Sequence, residues 1–520
     1  MPQPRAAPQQ SASSSVCTPG PIGWLNRVTL LLLLAASIAL RVFHLPRKPF
    51  WFDECFSVEL ARIDWRNFLH LLWWREANMS LYYVLLRIWL HFGQSPSFIR
   101  GLSVAAAVAT VPALYWLGRM LYDGRVALFA SALLTINAFH IRYSQEARSY
   151  ALLVLLSTLS SGFLTARLRR PSRGNWRGYV IASVLAVYAH FYALLLLAAH
   201  MLVVRRFGVH GIEAPADGRG ATLRKAWIWI GAAVSPLIVF VAKTGGGPIR
   251  WIQRPGLHDL LTFGKHFAGG NVWLLLAMIA AATAAVAPLG RRLLERNQPW
   301  EIWRCQFLLL WLLFPIGLTV VLSFVRPVFV PRYMSFCLPA FLLLAAAGVA
   351  RLRWRWLSAA TLALLLLLGW QGALFVYEHD YDDERDAAGA ATNFVLDHAR
   401  PGDGIIFHIP QIRVPYEFFR SLRAGTDTAS PSFTSAFGPD IVYPHNAPGL
   451  DYRDFKSKLS ADAVRTGARS HGRIWVFLMY NGPKLPDPTA VLLGEVLPQY
   501  FPKVQRWQFT KVEVRLYSAE

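Results

Sequence analysis

Apolar runs of roughly 17–25 residues recur along this chain, each long enough to cross ~30 Å of hydrocarbon. With two shorter runs at 178–189 and 190–204, they fall near residues 25–43, 99–119, 126–141, 149–167, 227–243, 271–290, 306–325, 333–350 and 357–376. Short basic loops punctuate them. Arg167, Arg169, Arg170, Arg173 and Arg177 form one cluster, followed by Arg205–Arg206, Arg224–Lys225, Arg291–Arg292 and Arg351, Arg353 and Arg355. Such clusters stay on the cytoplasmic side. Threading the runs to satisfy them gives about eleven spans, with the N-terminus inside and the C-terminus outside. The stretch 178–204 carries arginines beyond both ends, so an even number of crossings is needed. Two short spans turning at Tyr188–Tyr192 meet that need.

Between the first two runs lies a large outer loop, residues 44–98. Its segment 81–91 is apolar but short, and reads as a helix lying in the interface. Residues 1–23, rich in Pro, Gln, Ser and Ala, read as a disordered cytoplasmic tail. Residues 24–376 then form the membrane domain. From Tyr377 the composition turns mixed and charged, and 377–520 reads as an extracytoplasmic α/β domain. Helical spacing runs over 383–398 and 452–466; strands are predicted at 404–409, 473–480 and 512–517, the last as an edge strand.

Composition sharpens the class. Of 520 residues, 54% are hydrophobic and 16% charged, too apolar for a soluble globular chain. The net charge of +23 is the sum of the topology-setting loops, which face anionic headgroups, so no nucleic-acid partner is implied. The four cysteines, Cys17, Cys55, Cys305 and Cys337, are too scattered for a zinc-ligand spacing.

The threading gathers polar residues on the outer side. The first loop supplies Asp53 and Glu54, set among Trp51, Phe52 and Phe56. The turn after the third span supplies Arg142, Glu146 and Arg148. The hairpin supplies His190 between Tyr188 and Tyr192. The turn before the tenth span supplies Arg326, Arg332 and Tyr333, and Arg100 stands at the mouth of the second span. Each has a bland alternative. Asp53 suits a helix N-cap, Arg326 and Arg332 suit snorkelling anchors, and His190 suits a packing role. Arg142 and Glu146 have the i,i+4 spacing of a helix pair, and Arg100 could pair with Asp53. Three arginines and two acids converging on one side of a membrane also suit chemistry. The planar guanidinium binds phosphate bidentately, and a carboxylate can deprotonate a hydroxyl. Together they suggest displacement at a carbon bearing a lipid-linked phosphate, whose charge the arginines would stabilise.

The motifs carry a resemblance. Trp51–Ser57 is similar to the acidic motif of the first outer loop in GT-C-type membrane glycosyltransferases of the family-39 group, which includes protein O-mannosyltransferases and lipid A aminoarabinose transferases. Leu81–Tyr83 with Phe98–Ser103, Arg142–Tyr150 and Pro331–Tyr333 resemble further family motifs in the same order, over roughly residues 25–350. The resemblance implies inverting transfer of a sugar from a polyprenyl-phosphate donor to a glycolipid, polysaccharide or protein acceptor, on the extracytoplasmic face of the plasma (inner) membrane. It implies that Asp53 is the catalytic acid position, with Glu54 beside it, and that Arg100 matches the arginine after the first loop. Arg142, Arg148 and Arg332 are candidates for the phosphate; Glu146, His190 and Tyr333 are candidate substrate contacts. Where many relatives carry a His-Pro-Pro or Glu-Lys-Pro-Pro element, this chain reads Glu76-Ala-Asn-Met-Ser80. No metal ligands and no obligatory cofactor are therefore expected, a divalent metal remaining an open alternative. The rival reading is a membrane transporter or lipid flippase, which should instead place its charges near the bilayer midplane on repeated, broken helices.

Overall fold

The computed structural model describes residues 22–170, 172–206, 219–244, 252–290, 299–379, 387–424, 438–445, 452–455, 458–479 and 487–519. The expected tail (1–23) lies almost wholly outside the described residues.

The chain begins with α1 (Trp24–Val42). The first loop then folds into three short helices, α2 (Phe52–Arg62), α3 (Trp65–Trp74) and α4 (Ser80–Trp89). The last coincides with the segment read as interfacial. A bundle follows: α5 (Pro96–Leu121), α6 (Gly124–Ile136), α7 (Ala138–Ser144), α8 (Tyr150–Arg169), α9 (Arg173–Ala189), α10 (Ala193–Arg206) and α11 (Arg219–Thr244). It continues through α12 (Leu257–Ala268), α13 (Val272–Val286), α14 (Pro299–Ser323), α15 (Leu338–Ala350) and α16 (Arg355–His379). Local chemistry sets several starts. The side chains of Ser95, Asp123, Asn137 and Ser172 each accept a backbone N–H of the first helical turn, satisfying donors that have no partner within the helix. The α6–α7 break bends by 59° at Asn137, and the α12–α13 break by 78°. Gly269 and Gly270 make the second bend with φ of 134° and 91°, values that side-chain-bearing residues rarely adopt. A Cβ on Gly348 would lie 1.7 Å from the Ala281 carbonyl oxygen, so α13 and α15 cross nearly backbone to backbone.

Among the described residues seven helices are long and apolar enough to cross a membrane, or nine if each bent pair is one span. The chain is a multi-pass, mostly helical membrane protein, but the expected count of eleven is not reached on this measure. The difference lies at α9 and α10. They run antiparallel, as the hairpin reading requires, with the Tyr179 hydroxyl 3.4 Å from His200 Nδ1 across the pair. With 17 and 14 residues they extend only about 26 and 21 Å, short of the ~30 Å core.

The basic ends of the helices gather at one side. Arg304 of α14 donates to the Leu121 carbonyl at the end of α5 at 3.1 Å, and Arg169 lies 4.8 Å over the Trp300 ring. Arg148 precedes α8 and Arg332 follows α14, at the ends of those helices opposite Arg169 and Arg304.

The C-terminal region forms a five-stranded sheet in the order β2-β1-β3-β5-β4. Its strands are β1 (Gly404–Phe407), β2 (Asp440–Tyr443), β3 (Arg473–Met479), β4 (Lys503–Phe509) and β5 (Val512–Ser518). Helices α17 (Ala388–His398) and α18 (Arg413–Ala424) cover one face; α19 (Ala461–Ser470) and α20 (Pro488–Val496) cover the other. Strands β1–β3 are parallel, and β5 is antiparallel to both its neighbours. The expected edge strand, 512–517, is therefore interior, and the polar β4 takes the edge. The helix expected at 452–466 is also corrected. Tyr452–Asp454 is a 3-10 turn, Phe455 is left-handed at φ 55°, and α19 starts only where the Ser460 side chain accepts from Ala463 N. Residues 383–386 of the other expected helix lie outside the described residues.

Candidate functional site

The two adjacent acids of the first loop face opposite surroundings. One residue of α-helix turns the side-chain direction by about 100°, and here that separates a sealed ion pair from an open one. Glu54 and Arg100 are both fully buried. Arg100 Nε donates to Glu54 Oε1 and its Nη2 to Oε2, each at 2.8 Å. The remaining guanidinium protons go to the carbonyls of Leu45 (3.1 Å), Lys48 (2.6 Å) and Pro49 (3.0 Å), and the plane lies 4.4 Å from the Phe50 ring centre. Glu54 Oε1 also accepts from Ala147 N at 2.8 Å. A buried ion pair persists only when its remaining hydrogen-bonding capacity is met, and this one is nearly saturated. It ties the first loop to the start of α5 and to the turn before α8. Arg100 pairs with Glu54, not with Asp53.

Asp53 lies in the first turn of α2 and keeps 19% of its side chain exposed. Its Oδ2 is 3.6 Å from Arg148 Nη2 and 3.8 Å from Arg332 Nη2. These distances exceed hydrogen bonds, leaving two guanidinium forks around one carboxylate. Arg148 is aimed by Nη1, which donates to Ser57 Oγ at 3.3 Å and to the Asp53 carbonyl and Tyr83 hydroxyl at 3.4 Å. Arg332 is flanked by Trp51 and Tyr333, with ring centres at 5.7 and 5.6 Å. Its position beside Asp53 separates it from Arg326, which is exposed.

A third acid joins them. The Tyr83 hydroxyl donates to Glu76 Oε2 at 3.2 Å. Burial pushes the Glu76 carboxyl above the usual carboxylate range, against the pull of Arg75, Arg148 and the Tyr83 hydrogen bond. Sequence reasoning met Glu76 only as a departure from a motif. The available signal was a carboxylate in the same outer loop as Asp53.

Aromatic rings close one side. Tyr333 lies 4.5 Å from His190, 5.1 Å from Tyr192 and 6.2 Å from Tyr150, between ring centres. The α9–α10 turn is fixed by Asn78, whose Oδ1 accepts from Phe191 N at 3.0 Å and whose Nδ2 lies 3.4 Å from His190 Nε2. The Tyr192 hydroxyl donates to the Val328 carbonyl, so the turn also braces the segment carrying Arg332. Arg142 is further out, 5.7 Å from the Tyr143 ring, which packs edge-on to Tyr150 at 5.4 Å. Glu146 is buried in the turn between Arg142 and Arg148. Asp53, Arg148, Arg332, His190 and Tyr333 are thus brought together, Glu54 and Arg100 form the scaffold behind them, and Arg142 and Glu146 flank. Among the described residues no group of three His, Cys, Asp or Glu is placed to hold a metal ion.

No protein-family model matches the chain, and no curated protein matches it in sequence. Solved structures do. ArnT from Cupriavidus metallidurans, a GT-C glycosyltransferase, matches in its apo state at TM-score 0.59 and 11% identity, over 95% of this chain and 99% of that one. The same protein bound to undecaprenyl phosphate matches at TM-score 0.58 and 13% identity, over 95% and 98%. Identity this low establishes the fold and nothing finer: the chain has the GT-C-type membrane fold with a C-terminal α/β domain.

Proposed function

We propose that the protein transfers a sugar from a polyprenyl-phosphate donor to an acceptor hydroxyl, with inversion at the anomeric carbon. The observation that carries this reading is Asp53 standing between Arg148 and Arg332 at 3.6 and 3.8 Å. The donor phosphate takes the two guanidinium forks, and the acceptor hydroxyl approaches the Asp53 carboxylate. Asp53 accepts the hydroxyl proton as the acceptor oxygen bonds to the anomeric carbon from the face opposite the phosphate. The sugar–phosphate C–O bond breaks, its electron pair leaves with the phosphate, and the arginines neutralise the charge that develops there. Polyprenyl phosphate is a stable anion, so the leaving group takes no proton and the reaction is proposed to need no obligatory divalent metal. Tyr333, His190 and Tyr150 offer ring faces and a polar edge to the sugar. Arg142 and Glu146 are placed as flanking substrate contacts, while Arg100 and Glu54 act by holding the loop.

Support for the donor class comes from the shared fold with a transferase whose structure was solved with undecaprenyl phosphate. The proposed setting is the extracytoplasmic face of the plasma (inner) membrane, a reading supported by the basic clusters at the helix ends opposite Arg148 and Arg332. The acceptor is a glycolipid, a polysaccharide or a protein. A transporter or lipid flippase is disfavoured because the charges cluster at one end of the bundle instead of at its midplane. The test is incubation of the purified protein in lipid with a panel of polyprenyl-phosphate sugars, measuring polyprenyl phosphate release with and without chelator. Release under both conditions is the expected result. Release with none of them, together with no affinity for polyprenyl phosphate, would overturn the reading.

A further inference from the structure

The helix that carries Asp53 is gripped from two sides. Asp53 and Ser57, one turn apart on α2, face Arg148. Phe56 and Glu59 face the C-terminal domain. Arg453 Nη2 lies 3.0 Å from Glu59 Oε2, with both side chains mostly buried. The Phe455 ring packs 5.5 Å from Phe56, and the Arg75 guanidinium lies 4.4 Å from its centre. Arg75 is the residue before Glu76. One turn of the C-terminal domain therefore touches both elements that bring acids to the site, α2 and the end of α3.

The turn itself is built to be stiff. Tyr452 is buried between two guanidiniums, Arg413 at 4.2 Å and Arg453 at 4.6 Å from its ring. Arg413 is held in turn by Glu417, Nε to Oε1 at 2.9 Å. Phe455 has φ 55°, a conformation that costs a side-chain-bearing residue energy and persists where its surroundings over-determine it. Helix α18 adds a second hold, with Phe418 stacked on Phe50 at 4.9 Å and Arg62 donating to Ser421 Oγ at 3.3 Å.

We infer that Arg453 and Phe455 are positioning residues of the active site: the C-terminal domain sets the pose of α2, and so the distance of Asp53 from Arg148 and Arg332. This rests on the proposed transfer reaction for its catalytic consequence, but not for its structural one. Neither residue touches Asp53; both act through α2. Misplacement of a reacting group by about an ångström lowers turnover on the order of a hundredfold, so partial release of α2 should be felt in the rate.

The full-length protein in lipid nanodiscs is compared as wild type, Arg453→Ala, Arg453→Lys and Glu59→Gln. Three quantities are read: amide hydrogen exchange of residues 52–62, melting temperature, and turnover against donor KM. Arg453→Ala is expected to speed exchange across α2 and to lower kcat on the order of tenfold to a hundredfold, with donor KM and melting temperature near wild type. Arg453→Lys keeps the charge and should recover most of the turnover. The Arg453→Ala, Glu59→Gln double variant should cost less than the sum of the two singles, because they share one contact, while Glu59 also lies 3.8 Å from Arg62. Unchanged exchange over 52–62 in Arg453→Ala overturns the inference. So does faster exchange with normal kcat, which would make the contact a domain-docking bond only. If the wild type shows neither transfer nor affinity for polyprenyl phosphate, the functional proposal fails by itself, and the exchange data still decide whether the turn holds α2.

Discussion

Glu54–Arg100 and Asp53–Arg148–Arg332 both set a carboxylate of α2 against guanidinium groups, yet they are opposites. The first pair is fully buried, bidentate at 2.8 Å and joined by three carbonyls and a backbone N–H. The second is looser, partly exposed, and has two guanidiniums for one carboxylate. A saturated pair has no capacity left for a ligand, so its charges serve the fold. A looser cluster, with two guanidiniums 3.6 and 3.8 Å from one part-exposed carboxylate, has geometry that a ligand can rearrange. Completeness of hydrogen bonding, more than the presence of charge, separates scaffold from chemistry here.

The sharpest way to break that contrast is Asp53→Asn. The amide keeps the shape and loses the base, so transfer should fall by roughly 10²–10⁴ while melting temperature and polyprenyl-phosphate affinity hold. Near-normal turnover would make Asp53 structural. Glu54→Gln should do the reverse. Stranding buried Arg100 costs about 3–5 kcal/mol, read as a large drop in melting temperature or in folded yield. A stable Glu54→Gln protein with lost turnover would move Glu54 into the chemistry.

Arg332→Ala comes next. Loss of a charge-assisted hydrogen bond worth roughly 1.5–3 kcal/mol should weaken polyprenyl-phosphate binding about ten- to a hundredfold. Arg332→Lys should be intermediate, because it keeps the charge without the fork. A snorkelling arginine would instead lower melting temperature and leave the affinity alone. The smallest effect belongs to Glu76. Its folded carboxyl titrates above the ordinary value of 4.5 because of burial, so the unfolded chain gives up that proton at lower pH. Stability linked to this group is complete below the ordinary value and is lost as pH rises through the folded one. Melting temperature should therefore fall more between pH 4 and 7 in the wild type than in Glu76→Gln, and parallel curves would place Glu76 in water.

Hydropathy and loop charge made much of this legible. The bundle, the large first loop, the change in composition near Tyr377 and the gathering of Asp53, Arg148, His190 and Arg332 all follow from run length and arginine placement. The edge of the sheet was not legible, since alternation in 512–517 marks faces, not neighbours. The start of α19 was missed because Ser460 as an N-cap outweighed the apolar spacing upstream.

By itself the sequence determined which segments must leave water, because transfer free energy is a sum over local residues. It also pointed to acids and arginines from separate loops as neighbours. Which acid meets which arginine was decided only by tertiary structure. Glu54 and Asp53 are neighbours in the chain, but the partners that distinguish them, Arg100 and Ala147 against Arg148 and Arg332, lie tens to hundreds of residues away. Their assignment depends on the rotation of α2, which is set by contacts on both of its faces, including Arg453 and Phe455 nearly 400 residues further along the chain.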